Sequence, residues 1–362
     1  MCSPLRKKLP DFPWDALAPY GVKARKHPGG IIDLSQGTPV DPTPEFIQKV
    51  LAESANSPSY PTTAGTPELQ QAIRTWATSH LGITGDFDVL PVIGSKELVA
   101  WLPTFLQSET VLYPKIAYPT YLVGAMLAQS HEIAVDIDAS QWPQADLAWV
   151  NSPANPTGRV HSEAELRAVI QWSRKNKAVV ISDECYLEFG DGVTPTSIFA
   201  YSDGDNSNLL AVHSLSKRSS LAGYRAAFMV GDPVLIAAIR EIRKQAGMMV
   251  ALPVQKAMTA ALGDDEHVAT TRKRYNSRRA TLKPALEAAG FRIEESVAGL
   301  YIWCTRNEDA WKSVDWLAEI GILATPGSFY GPDGSDHIRV AMTATDNAIH
   351  DAAARIMAAI GA

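Results

Sequence analysis

The chain has 362 residues, of which 46% are hydrophobic and 20% are charged, and this composition excludes an intrinsically disordered protein. Its 33 lysines and arginines against 39 acidic residues leave a net charge of −6, which disfavours nucleic acid or an anionic membrane as a partner. The cysteines Cys2, Cys185 and Cys304 lie far apart, so neither a disulfide framework nor a metal site is expected, and a cytoplasmic location is the default.

The first segment, residues 1–38, is rich in proline and glycine and is predicted to form an extended arm with one short helix over residues 14–20. Arg6, Lys7 and Lys8 are not followed by an apolar stretch, which predicts that no signal peptide is present. No apolar run approaches the roughly 18 residues that a membrane-spanning helix requires.

Residues 39–274 are predicted to form a large domain in which short β-branched runs alternate with helical patterns. The runs are 89–93, 111–113, 133–137, 147–151, 178–182, 209–213 and 226–230. Such an alternation predicts an α/β fold with a mostly parallel sheet of seven strands, covered by helices on both faces. Ser162 and Glu165 are predicted to open one of these helices as a capping box.

Residues 275–362 are predicted to form a smaller α+β domain, with the boundary inside a long helix over 264–289. A strand at 301–304 and helices at 314–320 and 348–360 follow it. The long helix carries five basic residues that are interpreted as a solvent-exposed face, namely Arg272, Lys273, Arg274, Arg278 and Arg279.

Polar side chains follow three of the predicted strands where each strand ends. Asn155 follows the run at 147–151, Asp183 and Tyr186 follow the run at 178–182, and Ser214 and Lys217 follow the run at 209–213. Because ligands bind beyond the carboxyl ends of the strands in open α/β sheets, these side chains are expected to share one site. Each of them alone is a common sequence feature.

The order and spacing of Asn155, Asp183, Lys217 and Arg225 resemble those of the class I/II aminotransferases, which are pyridoxal-phosphate enzymes of fold type I. The resemblance covers nearly the whole chain. It includes Gly37-Thr38-Pro39, Tyr60 with Gly65 and Leu69, Gly94-Ser95-Lys96-Glu97, Tyr118-Pro119-Thr120-Tyr121, Pro326-Gly327 and Arg339.

The resemblance implies a role for each matching residue around the cofactor pyridoxal 5′-phosphate. Lys217 holds the cofactor covalently and moves the substrate proton, and Asp183 faces the pyridine nitrogen. Asn155 and Tyr186 bind the phenolic oxygen of the cofactor, and Tyr118 stacks on its ring. The residues implied to bind its phosphate are Ser95, Lys96, Ser214 and Arg225. Lys96 replaces a small residue of the family, and its side chain is expected either to approach the phosphate or to point to solvent.

The same resemblance implies how amino acid and 2-oxo acid substrates are bound. Arg339 takes the α-carboxylate with its planar guanidinium, and Gly37 and Asn155 lie beside the same carboxylate. Tyr60 belongs to a motif that reaches the phosphate of the partner subunit, so a homodimer is expected.

The amino-acid sequences of the arm and of the loop at 94–97 are similar to those of the N-succinyldiaminopimelate aminotransferases of lysine biosynthesis. This implies amino transfer between glutamate/2-oxoglutarate and N-succinyl-2-amino-6-oxopimelate. An aspartate or broad-range aminotransferase is the alternative, and a β-lyase or decarboxylase of the same fold stays open. A cation is needed for the distal substrate carboxylate, and the candidates are Lys23, Arg25, Lys26 and Arg159.

Other function classes lack their accompanying motifs. Ser214-Leu215-Ser216-Lys217 also fits the Ser-x-x-Lys of β-lactamase-type acyl enzymes, but the chain has no Lys-Thr-Gly. A nicotinamide enzyme needs Gly-x-Gly-x-x-Gly after its first strand, and this motif is absent. A regulator would carry a DNA-binding segment with a basic face, and none is recognised.

Overall fold

The computed structural model describes residues 9–361. The arm forms a short 3₁₀ turn, Pro13–Leu17, that continues into helix α1 (Ala18–Ala24), so the predicted helix is confirmed and extends further. Strand β1 (Ile32–Asp33) pairs in parallel with a strand near the carboxyl end of the chain, Ile322–Leu323. Cys2 and the basic residues Arg6, Lys7 and Lys8 lie outside the described residues.

A sheet of seven strands forms the centre of the molecule, and its spatial order is β2-β8-β7-β6-β5-β3-β4. The strands are β2 (Asp88–Val92), β3 (Thr110–Pro114), β4 (His131–Val135), β5 (Leu147–Asn151), β6 (Val179–Asp183), β7 (Leu209–Ser214) and β8 (Ala227–Gly231). Strand β8 runs antiparallel to both its neighbours, and the remaining pairs are parallel. The predicted mostly parallel sheet is confirmed, with strand ends displaced by at most two residues.

The central strands of the sheet are buried on both faces, and their successive residues enter different apolar clusters, whereas the edge strand β4 contributes to one cluster only. Ala148 and Val150 of β5 pack into one cluster, whereas Leu147 and Trp149 pack into the other. The covering helices are α2 (Glu45–Glu53), α3 (Pro67–His80), α4 (Ser95–Phe105), α5 (Thr120–Leu127), α6 (Glu163–Asn176), α7 (Leu215–Arg218), α8 (Pro233–Gln245) and α9 (Leu252–Leu262). The predicted capping box of Ser162 and Glu165 opens α6.

The carboxyl-terminal part is built on the long helix α10 (Glu266–Ala288) and a second, antiparallel sheet of order β12-β13-β10-β9. Its elements are β9 (Arg292–Glu294), β10 (Tyr301–Thr305), α11 (Ala310–Glu319), β11 (Ile322–Leu323), β12 (Thr325–Pro326), β13 (His337–Ala341) and α12 (Asp346–Ile360). Leu17, Ile32 and Leu34 of the arm belong to the apolar cluster of this part. The domain boundaries at residues 38 and 274 stay a prediction.

The predicted solvent-exposed basic face of α10 is wrong for two of its five residues. Arg278 and Arg279 are 2% and 0% exposed. Arg278 donates to both carboxylate oxygens of Asp41 and to Asp346, and Arg279 donates to the carbonyl of Gly299. These acceptors come from the segment after the arm, from the turn before β10 and from the start of α12, and they replace water around the guanidinium groups.

Within residues 9–361, every helix is too short or too polar to cross a bilayer. Cys185 and Cys304 are both free thiols, as expected from their separation in the sequence.

The buried ion pair of Arg278 leads to a stability prediction. Arg278→Leu should lower the free energy of unfolding by about 2 to 4 kcal/mol, because Asp41 loses two hydrogen bonds and stays shielded from water. Arg272→Leu, on the exposed side of the same helix, should change it by less than about 0.5 kcal/mol. Urea unfolding of both variants measures the difference, and equal values would contradict the role of the pair.

Candidate active site

A cavity of about 520 Å³ lies beyond the carboxyl ends of β5, β6 and β7. It is lined by the predicted site residues Gly37, Ser95, Lys96, Tyr118, Asn155, Asp183, Tyr186, Ser214, Lys217, Arg225 and Arg339. Tyr60 is the predicted site residue that does not line it, and its side chain is 94% exposed. The fold therefore brings together residues that are up to about 300 positions apart in the chain, as expected for a site at strand ends.

Lys217 lies on α7, the single helical turn that follows β7. Its Nζ donates a hydrogen bond to the carbonyl of Gly37 in the arm. Burial lowers the pKa of its amine, the positive charges of Arg339 and Arg225 lower it too, and Cys185 opposes them, with a resulting pKa of about 8. About a tenth of the amine is therefore neutral at pH 7, and a neutral amine is the nucleophilic form.

Asp183 is the last residue of β6, and its side chain is 7% exposed. Its carboxylate accepts hydrogen bonds from the hydroxyl of Tyr121 at 2.8 Å and from the backbone N–H of Cys185 at 3.2 Å. Burial raises the pKa of this carboxyl, and the two hydrogen bonds oppose the rise. The carboxylate is thus held in place as a hydrogen-bond acceptor beside the cavity.

Asn155 is fixed by the turn that follows β5. Its backbone N–H donates to the side-chain oxygen of Asn151 at 2.7 Å, and the Asn151 amide donates to the Asp183 carbonyl at 2.9 Å. Asn151 therefore ties the turn to the end of the neighbouring strand. The side-chain oxygen of Asn155 accepts from Arg339 at 3.0 Å.

Arg339 lies on β13 and is 2% exposed. Its two terminal nitrogens donate to the Asn155 side chain and, at 2.7 Å, to the Ser35 carbonyl. Its Nε is buried and has no hydrogen-bond partner in residues 9–361. Because a guanidinium has five N–H donors and is always charged, unused donors remain for a carboxylate.

The part of the cavity at the start of helix α4 resembles an anion-binding site, here called the cradle. Helix α4 begins at Ser95, directly after Gly94 with φ of 80°. A Cβ at Gly94 would overlap the Arg225 guanidinium, so the glycine allows this arginine to approach the start of the helix. The free N–H groups of the first helical turn, the guanidinium and the nearby Ser214 hydroxyl are the donors that a phosphate group needs.

Lys96 lies at the rim of the cavity and is exposed, with its Nζ 5.4 Å from the centre of the Phe12 ring. It forms no ion pair with any residue in the described part of the chain. The expected distal cations Lys23, Arg25, Lys26 and Arg159 do not line the cavity. Lys23 is held by Asp315 and Glu319, and Arg159 by Glu165 and Glu295, so carboxylates of the protein already neutralise both.

The predicted stacking residue Tyr118 also lines the cavity, and burial raises the pKa of its phenol to about 12. Sequence reasoning assigned no role to Tyr121, Tyr301 and Trp14, which line the same cavity. Tyr121 belongs to the same Tyr118-Pro119-Thr120-Tyr121 segment as Tyr118, which was the signal that could have found it. Tyr301 and Trp14 reach the site only through the packing of the arm on the small sheet.

Comparison with known proteins identifies the family of this chain. Residues 29–356 match the family model of the aminotransferases of class I and II. A probable aminotransferase of Mycobacterium tuberculosis is 51% identical over 96% of this chain and 85% of its own. The 4-dedimethylamino-4-oxo-anhydrotetracycline transaminase OxyQ of Streptomyces rimosus is 48% identical over 97% of this chain and 99% of its own. The solved structure of a probable N-succinyldiaminopimelate aminotransferase from Thermus thermophilus superposes with a TM-score of 0.88 at 26% identity, covering 96% of this chain and all of the other.

The fold and the matching family define a pyridoxal-phosphate-dependent transferase of fold type I. This chain belongs to the class I and II aminotransferases. The residues present fit the cofactor: an amine, a buried carboxylate, a phenol and a phosphate cradle line one cavity. Each of these is a group that the cofactor's aldehyde, ring nitrogen, phenolic oxygen or phosphate can use.

Proposed function

We propose that the active site transfers an amino group by means of Lys217, Asp183 and Arg339. The observation that carries this proposal is a half-buried amine of lowered pKa in one cavity with a buried carboxylate and a buried guanidinium. Ionisable groups that are withdrawn from water in one cavity are costly to fold and are typical of functional sites.

Four groups of the chain would hold the cofactor. Lys217 would bind it covalently, Asp183 would accept a hydrogen bond from its ring nitrogen, and Tyr186 with Asn155 would face its phenolic oxygen. The cradle of Ser95, Ser214 and Arg225 would take the phosphate. When bound, the cofactor supplies a ring that accepts the electron pair left at the substrate α-carbon.

The chain's own residues handle the substrate and its proton. Arg339 would bind the α-carboxylate with its unused donors, which orients the α-carbon toward Lys217. The Lys217 amine, whose pKa is about 8, would remove the α-proton and return it on the other side of the reaction. The Gly37 carbonyl accepts a hydrogen bond from this amine and so keeps it directed into the cavity.

Lys217 gives the most direct test of the proposed function. Borohydride reduction of the cofactor-loaded protein should label the peptide that contains Lys217, and Lys217→Ala should lower kcat by several orders of magnitude because the amine has two roles. Lys49→Ala, at a surface lysine that is outside the cavity, is the matched control. Label on another lysine, or near-normal turnover of the Lys217 variant, would contradict the assignment.

We propose that the amino group passes between glutamate/2-oxoglutarate and N-succinyl-2-amino-6-oxopimelate. Such a substrate carries a second, distal carboxylate, and Lys96 is the candidate to bind it. This lysine lies at the cavity rim and has no carboxylate partner among residues 9–361, and its neighbour Phe12 can pack on the aliphatic chain of the substrate. The structural similarity to a probable N-succinyldiaminopimelate aminotransferase supports the same substrate class. An aspartate or broad-range aminotransferase is the alternative.

One observation favours a second candidate substrate. The name of the relative that is 48% identical specifies a polycyclic ketone, 4-dedimethylamino-4-oxo-anhydrotetracycline. The cavity of this chain has an aromatic wall of Phe12, Trp14 and Tyr118, which suits a flat ring system as well as it suits an aliphatic chain. A ring ketone is therefore the competing amino-group acceptor. In that case the Lys96 side chain would pack on the edge of the ring system.

The substrate proposal is tested with three acceptors, one variant of Lys96 and one control variant. We expect kcat/KM for the succinylated substrate to exceed that for the oxo acid of aspartate by about 10- to 100-fold, because the longer substrate can pair its distal carboxylate with the exposed Lys96 and pack its aliphatic chain on Phe12. Lys96→Met should reduce this preference about tenfold or more, while Lys49→Met leaves it unchanged. Comparable kcat/KM values would indicate the broad-range enzyme, and a higher value for an anhydrotetracycline ketone would indicate the second candidate.

We also propose that the active unit is a homodimer in the cytoplasm. Tyr60 supports the dimer, since a tyrosine that is 94% exposed outside its own cavity is placed to contact another molecule. In this arrangement its phenol would donate a hydrogen bond to the phosphate bound by the partner subunit. The low number of cysteines supports the location.

Mixing two inactive variants tests the dimer. Tyr60→Ala and Lys217→Ala homodimers should both be weak or dead, and subunit exchange should restore part of the activity because one of the mixed sites receives both intact residues. The two variants are mixed under exchange conditions and assayed for amino transfer. Proven exchange without recovery of activity would show that Tyr60 does not act across an interface.

A further inference from the structure

Tyr301, the first residue of β10, contacts two separate groups of the site. Its ring centre lies 4.0 Å from the guanidinium carbon of Arg339, and its hydroxyl lies 3.0 Å from the hydroxyl of Tyr186. Its side chain is 2% exposed, and a Cβ at Gly37 would overlap the hydroxyl. The phenol is therefore enclosed by the arm, by the turn after β6 and by β13.

The ring is the closest aromatic surface to the charge of Arg339. The rings of Tyr330 and Trp14 lie at 5.1 Å and 6.0 Å from the same carbon. Hydrogen bonds to Asn155 and Ser35 hold the two terminal nitrogens, and a stacked ring restricts the remaining rotation out of the guanidinium plane. The orientation of the guanidinium plane decides whether Arg339 can bind a carboxylate by two parallel hydrogen bonds.

The hydroxyl acts on Tyr186. Burial raises the pKa of the Tyr186 phenol well above its usual value, and the neighbouring Tyr301 raises it further. The titratable and charged groups that face Tyr186 are Tyr301, Cys185 and Arg339, with Lys217 and Asp183 lining the same cavity. The Tyr186 phenol is thus protonated near neutral pH, and at 3.0 Å one of the two hydroxyls donates to the other.

We propose that Tyr301 is a positioning residue whose hydroxyl donates to Tyr186, which leaves the Tyr186 O–H free to point into the cavity, and whose ring sets the plane of Arg339. The proposal rests on the proposed function, in which Tyr186 faces the phenolic oxygen of the cofactor and Arg339 binds the substrate carboxylate. A chain of two hydroxyls makes the inner one a stronger donor than it would be alone.

The hydroxyl is tested with Tyr301→Phe, which keeps the ring. The readout is the midpoint of the pH-dependent absorbance change of the cofactor-loaded protein, which needs no turnover. A weaker Tyr186 donor stabilises the deprotonated cofactor less, so the midpoint should rise by about 0.2 to 0.6 pH units. Tyr186→Phe should raise it by about 1 pH unit or more. Tyr20→Phe, at a tyrosine stacked on Trp311 outside the cavity, is the matched control and should not move it.

The ring is tested by the binding of glutarate, a dicarboxylate with no amino or oxo group to transfer. Tyr301→Phe should keep its Kd within about twofold, whereas Tyr301→Leu should raise it about 5- to 30-fold because the stacked surface is lost. Thermal unfolding confirms that the leucine variant is folded, and Tyr301→Met replaces it if it is not. An unchanged Kd in a folded variant without the ring would overturn this half of the proposal.

The outcomes separate this proposal from the proposed function. A midpoint unchanged in Tyr301→Phe but shifted in Tyr186→Phe would overturn the role of the Tyr301 hydroxyl and leave Tyr186 in place. A midpoint unchanged in both variants would instead remove Tyr186 from the cofactor's phenolic oxygen. A raised Kd for glutarate already in Tyr301→Phe would show that ring and hydroxyl do not act separately.

Discussion

The guanidinium of Arg339 is the buried charge on which the arrangement of the site depends. It is 2% exposed, and its acceptors come from two distant parts of the chain, the carbonyl of Ser35 in the arm and the side chain of Asn155 after β5. A buried arginine is stable only when such acceptors are present, so the arm, the large sheet and the small sheet must meet around it. The cavity is the space that remains between the arm, the large sheet and the small sheet.

Burial also sets the protonation of the groups that face the cavity. It lowers the pKa of Lys217 to about 8 and raises that of the Asp183 carboxyl, so the same physical cause acts in opposite directions on a base and on an acid. The hydrogen bonds of Tyr121 and Cys185 oppose the effect at Asp183. An amine that is partly neutral and a carboxylate that is held by donors can therefore lie in one cavity near pH 7. A solvent-exposed site would give neither property.

Much of the fold could be predicted because its signals are local. The strands of the large sheet are buried on both faces, so their residues form short apolar runs that can be recognised without knowing their neighbours. The capping box of Ser162 and Glu165 and the residues at the strand ends are equally local. Asn155, Asp183 and Lys217 follow the ends of three strands, and because the carboxyl ends of parallel strands meet at one edge of a sheet, their positions in the sequence imply a shared site.

Contacts between segments far apart in sequence could not be predicted. Arg278 and Arg279 form a basic patch in the sequence, but Asp41 and the Gly299 carbonyl accept their hydrogen bonds in the fold. Lys23 and Arg159 are cations without partners in the sequence, but Asp315 and Glu295 lie beside them in space. Residue type and spacing alone were thus enough to predict the sheet and the family, and they pointed to most of the polar residues that line the cavity. The folded arrangement was needed to show which charges are neutralised, which are free to bind a ligand, and which ring lies against Arg339, because those properties belong to pairs of residues that no local pattern connects.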